Sequence, residues 1–137
     1  MALSFVLDTS VVKRPGRPEV RAAVEPLARS GQLGRARIRD LEVGYSARNA
    51  DEWDLLVGAL DAFSALENTA AHVNRALQVQ RLLAARGQRG RKIPDLLIAA
   101  AAEELGITVL HYDADFDLIA SVTGHMCRWV VPAGSIE

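Results

Sequence analysis

The sequence predicts an α/β domain in which helices flank a central, mostly parallel sheet. Short apolar segments have the composition of buried parallel strands, and longer helical segments lie between them. Their order along the chain is one strand, several helices, a strand, a helix and a strand. No linker rich in Pro, Gly or Ser interrupts the 137 residues, a length typical of one domain. We therefore expect residues 1–137 to form a single domain.

The N-terminal part of the chain predicts a strand followed by a helix. Residues 4–7 (SFVL) are short and apolar, as in a buried parallel strand, and Asp8 closes them. Residues 17–31 predict a helix with Pro18 near its start, where a missing N–H costs little. Pro26 lies inside this pattern, so we expect the helix to be kinked or broken there.

The middle of the chain predicts three more helices, over residues 38–50, 51–63 and 69–87. Asp51 is the expected N-cap of the second of them, and Thr69 is the expected N-cap of the third. No strand is expected between these helices.

The last third of the chain carries the strongest sequence pattern. Residues 93–106 form an alanine-rich helix that ends at Gly106, and residues 107–112 form an apolar strand. A helix over residues 115–124 follows, with an acidic first turn that the helix dipole favours. Residues 127–131 complete the sheet as a last strand.

Composition excludes several classes of protein. The formal net charge is −1, with 24% charged and 50% hydrophobic residues, so a disordered chain is not expected and no overall basic excess points to nucleic acid. The single cysteine, Cys127, has no partner for a disulfide and no zinc-ligand spacing around it. The N-terminus resembles neither a signal peptide nor a membrane span. These features predict a cytoplasmic protein.

Acidic residues fall at one edge of the predicted sheet. Asp8 and Asp113 each follow a strand, and Asp95 lies in the first turn of the helix that precedes the second of these strands. Glu42 lies in a helix beside apolar residues and can turn toward the same edge. Ligands of open α/β sheets collect outside the carboxyl ends of the strands. We expect these four acids to meet there.

Crowded carboxylates predict a metal site. Like charges at short range raise one another's pKa, and a divalent cation relieves this repulsion. A set of oxygen donors without Cys or His favours Mg²⁺ or Mn²⁺ over zinc. Such an ion lowers the pKa of bound water and neutralises charge on a phosphodiester. The residues therefore predict metal-assisted phosphodiester hydrolysis.

Each acid also has a structural explanation of its own. Asp8 can start a turn, Asp95 can satisfy the helix dipole, and Glu42 can lie on a solvated helix surface. Asp115 can be an N-cap, and Asp117 a solvated acid of the first turn. These explanations do not account for so many acids at one edge of the sheet.

The histidines do not supply an obvious general base. We expect His111 to pack or hydrogen-bond structurally at the end of its strand. His72 and His125 are expected at ordinary polar positions.

Four segments carry a joint pattern: FVLDTSVV (5–12), LEVGYSAR (41–48), IPDLLIAAAAEELGITVLHYDADFDLIA (93–120) and RWVVP (128–132). Together they resemble the PIN-domain family and, more narrowly, the VapC toxins of bacterial toxin–antitoxin pairs. The resemblance covers about residues 4–132, and segment 93–120 is its most specific part.

The resemblance implies a PIN-like three-layer α/β/α domain and a Mg²⁺- or Mn²⁺-dependent endoribonuclease. The catalytic and metal-binding acids that it implies are Asp8, Glu42, Asp95 and Asp113. Asp115 would be a further metal ligand, and each acid would bind the ion directly or through water. Thr9 or Ser10 would support the site by hydrogen bonding to Asp8 or to metal-bound water.

The resemblance also implies an RNA substrate, with tRNA or rRNA as the expected class, read at exposed single-stranded loops. The basic residues expected to contact phosphates, unless they are only solvated, are Lys13, Arg14, Arg86, Arg89, Arg91 and Lys92. A VapB-type antitoxin would cover the acidic pocket. Helices 51–63 and 69–86 are the expected faces of a homodimer, and no membrane is involved.

Two other functions fit the same family: a housekeeping RNA-processing PIN nuclease, and a catalytically inactive PIN binding module. A phosphatase of the haloacid dehalogenase class would need Asp-x-Asp where Asp8 is followed by Thr9 and Ser10. The chain departs from the family in one respect. Many relatives carry a hydroxyl residue shortly before the helical glutamate, whereas Arg39 and Asp40 stand there in this sequence.

Overall fold

A computed structural model describes residues 2–12, 16–88 and 90–136. Its five strands are β1 (Phe5–Leu7), β2 (Leu33–Ala36), β3 (Ser64–Leu66), β4 (Thr108–His111) and β5 (Cys127–Trp129). Its α-helices are α1 (Thr9–Val12), α2 (Pro18–Arg29), α3 (Arg37–Tyr45), α4 (Ala50–Gly58), α5 (Ala70–Ala85), α6 (Ile93–Leu105) and α7 (Asp115–Thr123). A short 3₁₀ helix, Ala59–Ala62, extends α4.

The strands form one parallel sheet in the order β3-β2-β1-β4-β5. Val6 in the central strand is in register with Gly34 of β2 and Val109 of β4. The chain runs outward from β1 in one direction through β2 and β3, and in the other through β4 and β5. The crevice beyond the carboxyl ends of β1 and β4 is therefore the switch point where such sheets bind ligands.

The two faces of the sheet carry separate cores. Val6 and Val109 point to the face covered by α5, α6 and α7. Phe5, Leu7 and Leu110 alternate with them and point to the face where α1 and α2 pack. The α/β class with helices on both faces of a parallel sheet is thus as the sequence predicts.

Helix α6 places its first turn firmly against the sheet. The alanines Ala99–Ala102 are all buried, so the helix backbone approaches the strands closely. The helix ends at Gly106, whose φ of 69° lies in the left-handed region that a C-cap glycine adopts at little cost. Asp95, in the first turn of this helix, is held in place by these contacts.

Several helix boundaries differ from the sequence predictions. Helix α2 continues through Pro26. Pro26 has no N–H to donate to the carbonyl of Ala22, but both residues are exposed, so water can bind that carbonyl instead. Asp51 is not the N-cap of α4: the side chain of Asn49 accepts the N–H of Glu52 at 2.8 Å. The predicted cap of α5 by Thr69 is present.

Strands β2 and β3 were not expected from the sequence. Residues Leu33–Ala36 read LGRA, which lacks an apolar run, and β3 is a short and largely exposed edge strand. Gly34 is packed closely in β2, where a Cβ would lie 3.0 Å from Leu3 Cδ1 and 3.3 Å from Ser64 O. Of the helices that the structure describes, none is long and apolar enough to cross a lipid bilayer.

Candidate metal centre

Asp8 lies at the carboxyl end of β1 and is 1% exposed. Its N–H donates to Leu110 O at 3.0 Å, which continues the pairing of β1 with β4 past the end of the strand. Its Oδ2 accepts the Ser10 hydroxyl at 2.6 Å and the Ser10 N–H at 3.0 Å. These bonds fix the carboxylate and leave Oδ1 directed to the cleft residues described next.

Arg39 lies at the centre of the acidic cluster. It is 6% exposed, near the start of α3. Its Nη2 donates to Asp8 Oδ1 at 2.7 Å and also to Asp95 Oδ1, and its Nη1 donates to Glu42 Oε1 at 2.5 Å. Burial alone would lower the pKa of Arg39, but the carboxylates of Asp8, Asp95 and Glu42 outweigh it and raise that pKa. Arg39 therefore remains charged.

Asp95 is fully buried, and its Oδ2 has no hydrogen-bond partner among the described residues. Burial raises the pKa of Asp95 from 3.8 to about 6, and the charge of Asp8 adds to this while Arg39 opposes it. A buried, unpaired carboxylate oxygen is costly unless a ligand or an ion satisfies it. This atom has the environment expected of an oxygen that binds a cation.

Asp113 and Asp115 form the outer part of the cluster. Asp113 Oδ1 accepts the Asp115 N–H at 2.9 Å, and Asp113 Oδ2 lies 3.3 Å from Lys92 Nζ. Burial by itself raises the pKa of Asp113, but the Asp115 N–H and Lys92 lower it overall. Arg91 Nη1 donates to Asp115 Oδ1 at 2.6 Å. Asp113 is therefore held in its charged form at the rim, with Asp115 beside it.

The five acids fall into two groups that share Asp95. Asp8, Glu42 and Asp95 surround Arg39, as described above. One carboxylate oxygen from each of Asp95, Asp113 and Asp115 lies within 4.8 Å of the others, close enough to hold a single ion. The donors are all oxygens and one of them is unpaired, so the residues fit a hard divalent cation.

The other candidate residues have different positions. Thr9 Oγ1 donates to Glu42 Oε2 at 3.4 Å, while Ser10 holds Asp8. Lys13, Arg14 and Arg89 lie outside the residues that the structure describes. The expectation that Asp115 caps α7 is wrong: the N-cap is Ala114, and Asp115 is the first helical residue.

Arg39 is the residue of the cluster that sequence reasoning did not place there. The only local signal was its spacing three residues before Glu42 on one helix face, which brings the two side chains together. Its contacts with Asp8 and Asp95 span 31 and 56 residues of chain, so no local pattern could reveal them.

The histidines have structural roles. His111 is fully buried against Phe116 and Trp129, and its Nδ1 accepts the Asp113 N–H at 3.1 Å. Burial lowers the pKa of His111, so it is neutral and its proton is on Nε2. The expectation of an ordinary polar position is wrong for His72, which is 4% exposed and whose Nδ1 accepts the Thr69 N–H at the start of α5.

A family model described as the PIN domain matches residues 5–122. The chain belongs to the PIN-domain family. This PIN-domain protein is 68% identical over 137 residues to Ribonuclease VapC51 of Mycobacterium tuberculosis, and the match covers the full length of both chains. It is 41% identical to Ribonuclease VapC21 of the same species, over 98% of this chain and 99% of that protein. The resemblance to VapC-type PIN domains is therefore confirmed.

Solved structures share the PIN fold. The crystal structure of DNA-bound VapBC from Salmonella typhimurium superposes with a TM-score of 0.77 at 19% identity, covering 94% of this chain and 99% of that chain. VapBC2 from Rickettsia felis, bound to a promoter fragment, gives a TM-score of 0.74 at 15% identity, covering 93% and 98%. The predicted PIN-like three-layer fold is confirmed by these similarities.

Proposed function

We propose that this PIN domain is the toxin of a VapBC-type toxin–antitoxin pair and acts as a Mg²⁺- or Mn²⁺-dependent endoribonuclease. The ribonuclease class follows from close relatives that are themselves named ribonucleases. The observation that supports metal dependence is the unpaired, buried Oδ2 of Asp95 among carboxylate oxygens.

The proposed ligands are Asp8, Glu42, Asp95, Asp113 and Asp115. A bound divalent ion supplies charge stabilisation at the phosphodiester and a water of lowered pKa. The remaining work belongs to the protein: Ser10 orients Asp8, Thr9 contacts Glu42, and Arg39 bridges the inner acids. We assign the catalytic role to Asp8, Glu42, Asp95 and Asp113.

The rim of the cleft offers basic groups to an RNA strand. Lys92 lies beside Asp113 with 63% of its side chain exposed, and Arg91 lies beside Asp115. Lys13, Arg14 and Arg89 are further candidates for phosphate contacts. A cleft of about 350 Å³ lined by Asp8, Lys92 and other site residues is open to solvent and suits a splayed single strand. A loop of tRNA or rRNA is therefore the proposed substrate.

The antitoxin is proposed to lie in an apolar groove beside the acidic cleft. The groove has a volume of about 470 Å³ and lies between α2 and α4, with Val20, Val24 and Leu56 in its lining and Arg39 in its wall. Leu55 on its border is 76% exposed. The solved VapBC structures that share this fold motivate a VapB-type partner. We expect Leu55→Glu to weaken inhibition by the antitoxin while ribonuclease activity persists.

We further propose that the chain acts as a single domain, as a homodimer and in the cytoplasm. Helix α5 supports the dimer, because Val73 and Leu77 are half-exposed apolar residues on its surface. Sedimentation of the purified protein tests the dimer, with Leu77→Glu expected to yield monomers. Coincident unfolding transitions by fluorescence and circular dichroism test the single domain.

The decisive experiment measures RNA cleavage with Mg²⁺ or Mn²⁺ by the intact chain, by Asp8→Asn and by a matched control, Asp54→Asn. Asp54 is an exposed acid on α4, away from the cluster. We expect Asp8→Asn to lose at least about a hundredfold in kcat, since one oxygen donor becomes an amide, and Asp54→Asn to keep full activity. Equal activity of all three proteins would contradict the proposed site.

The alternatives make different predictions. An inactive binding module would cleave no RNA with either ion. A housekeeping nuclease would cleave RNA, but its expression without an antitoxin would not arrest growth. Growth arrest that depends on Asp8, together with new RNA 5′ ends mapped after brief expression, would support the toxin.

A further inference from the structure

We propose that Arg39 is an internal competitor of the divalent ion, so that loading the metal centre displaces its guanidinium from Asp8 and Asp95. This inference rests on the proposed function, since it takes the metal centre as given. It concerns a residue of this chain that the metal chemistry itself does not require.

The guanidinium of Arg39 occupies one carboxylate oxygen of each of three proposed metal ligands. Nη2 of Arg39 bridges Oδ1 of Asp8 and Oδ1 of Asp95, and Nη1 binds Glu42. Charge-assisted bonds of this kind occupy the lone pairs that would otherwise face an ion. Of the three acids around Arg39, the fully buried one is Asp95, whose second oxygen remains unpaired.

The charge balance shows that Arg39 replaces an ion only in part. Among the residues that the structure describes, the five carboxylates of the cluster form ion pairs with three basic side chains, those of Arg39, Arg91 and Lys92, which leaves two negative charges when all of these groups are ionised. That deficit equals the charge of one divalent cation. When such a cation binds at this short range, it repels the guanidinium and competes for the same oxygens.

The structure also provides space for the displaced side chain. Arg39 lines the acidic cleft on one side and the apolar groove on the other, so it forms part of the wall between them. Asp40, the next residue of α3, lies in the lining of the groove and already accepts a bond from Arg35. A movement of Arg39 toward the groove would keep its charge near a carboxylate.

The experiment titrates Mn²⁺ into three proteins and measures affinity by calorimetry and by the electron paramagnetic resonance of free Mn²⁺. Arg39→Met removes the guanidinium and keeps the apolar stem. Arg35→Met is the matched control, because Arg35 is also a largely buried arginine bound to an acid, Asp40, but is not bonded to any acid of the cluster. We expect Arg39→Met to bind Mn²⁺ at least about tenfold more tightly than the intact chain, and Arg35→Met to bind it equally.

A stability measurement accompanies the titration. Without metal, Arg39→Met should melt at a lower temperature than the intact chain, because the inner carboxylates lose their counterion. Saturating Mn²⁺ should then raise its melting temperature more than it raises that of the intact chain. An unchanged or weaker affinity for Mn²⁺ in Arg39→Met would overturn the proposal.

A second measurement uses the intact chain and so does not depend on how the variant folds. The side-chain Nε–Hε resonance of Arg39, assigned through its backbone, is followed during a Mg²⁺ titration, with Arg75 as the internal reference. Arg75 donates to Glu103 Oε1 at 2.7 Å, and Glu103 lies about two turns further along α6 than Asp95. We expect the Arg39 signal to shift and lose protection from exchange while that of Arg75 stays constant. An unchanged Arg39 signal at saturating Mg²⁺ would contradict displacement.

The outcomes separate this inference from the proposed function. If the intact chain binds Mn²⁺ and Arg39→Met binds it equally, the competitor role is wrong and the metal centre stands. If neither protein binds Mn²⁺, the metal centre itself is wrong, and the competitor role falls with it.

Discussion

The hydroxyl of Ser10 donates to Oδ2 of Asp8 at 2.6 Å, and the same hydroxyl accepts the N–H of Tyr112 at 2.9 Å. Ser10 therefore links the acid that ends β1 to the backbone that follows β4. These two strands border the switch point of the sheet, and the Ser10 hydroxyl is the group that ties the Asp8 carboxylate to both of them, in addition to the bonds that Asp8 accepts from the Ser10 N–H and from Arg39.

We predict that Ser10→Ala lowers ribonuclease activity about 10–100-fold, the usual effect of removing a group that orients a metal ligand. The loss should appear in kcat and in Mn²⁺ affinity more than in KM, because the RNA contacts remain. Ser10→Thr, which keeps the hydroxyl, should recover part of the activity. Ser46→Ala, at an exposed hydroxyl bonded to Val43 O, is the control. If Ser10→Ala keeps full kcat, Ser10 does not position Asp8.

Lys92 is predicted to contact an RNA phosphate. Lys92→Met should weaken RNA binding and reduce the slope of log K against log salt by about 1, as expected for the loss of one phosphate contact. Fluorescence anisotropy with an RNA loop at several salt concentrations measures this. Arg48→Met is the control, because Arg48 is an exposed arginine paired with Glu52 on another part of the surface. An unaltered slope for Lys92→Met would mean that Lys92 pairs with Asp113 and does not contact an RNA phosphate.

The buried His111 is predicted to make stability depend on pH. Burial lowers its pKa below 6.5, so the unfolded chain binds a proton that the folded chain does not. The contribution of neutral His111 is thus fully present above pH 6.5 and is lost as the pH falls toward its folded pKa. His111→Asn keeps an acceptor for the Asp113 N–H and should flatten this dependence. His125→Asn should keep it.

Urea unfolding between pH 5 and pH 7.5 measures the effect on each of these proteins. A free energy of unfolding that falls equally steeply below pH 6.5 in His111→Asn and in the intact chain would assign the pH dependence to other groups.

Replacing either of two glycines by alanine is predicted to affect the free energy of unfolding differently. A Cβ at Gly44 would lie 2.5 Å from Trp53 Nε1, whereas one at Gly58 would meet nothing within 4 Å. Gly58→Ala should raise the free energy of unfolding by about 0.4–1 kcal/mol, because alanine costs less entropy in a helix. Gly44→Ala should not give this gain, because the new Cβ on α3 would force the Trp53 side chain of α4 to move away. A change in tryptophan emission in Gly44→Ala alone would report that movement.

The parts of the fold that the sequence predicted are those with a strong local pattern. Strands β1 and β4 are apolar runs followed by an acid, and α6 begins with a proline and ends with Gly106. Strand β2 has Gly34 and Arg35 at its centre, and it is stabilised by pairing with its neighbours on both sides. Its composition therefore gives no signal, because tertiary context decides its structure.

The acids of the candidate site could be predicted from the sequence, but the arginine among them could not. Asp8, Asp95 and Asp113 follow from the rule that parallel strands end at one edge of the sheet. Arg39 looked like an ordinary charged residue at the start of a helix, and only the folded chain brings it to Asp8 and Asp95. Long-range ion pairs of this kind have no signature in a single sequence.

The acids come from elements that are far apart in the chain, and the last of them, Asp115, follows α6 and β4. During synthesis on the ribosome, no partial product that ends before this point carries all of the proposed metal ligands. Translation that terminates before Asp115 would therefore release fragments that lack at least one of these acids.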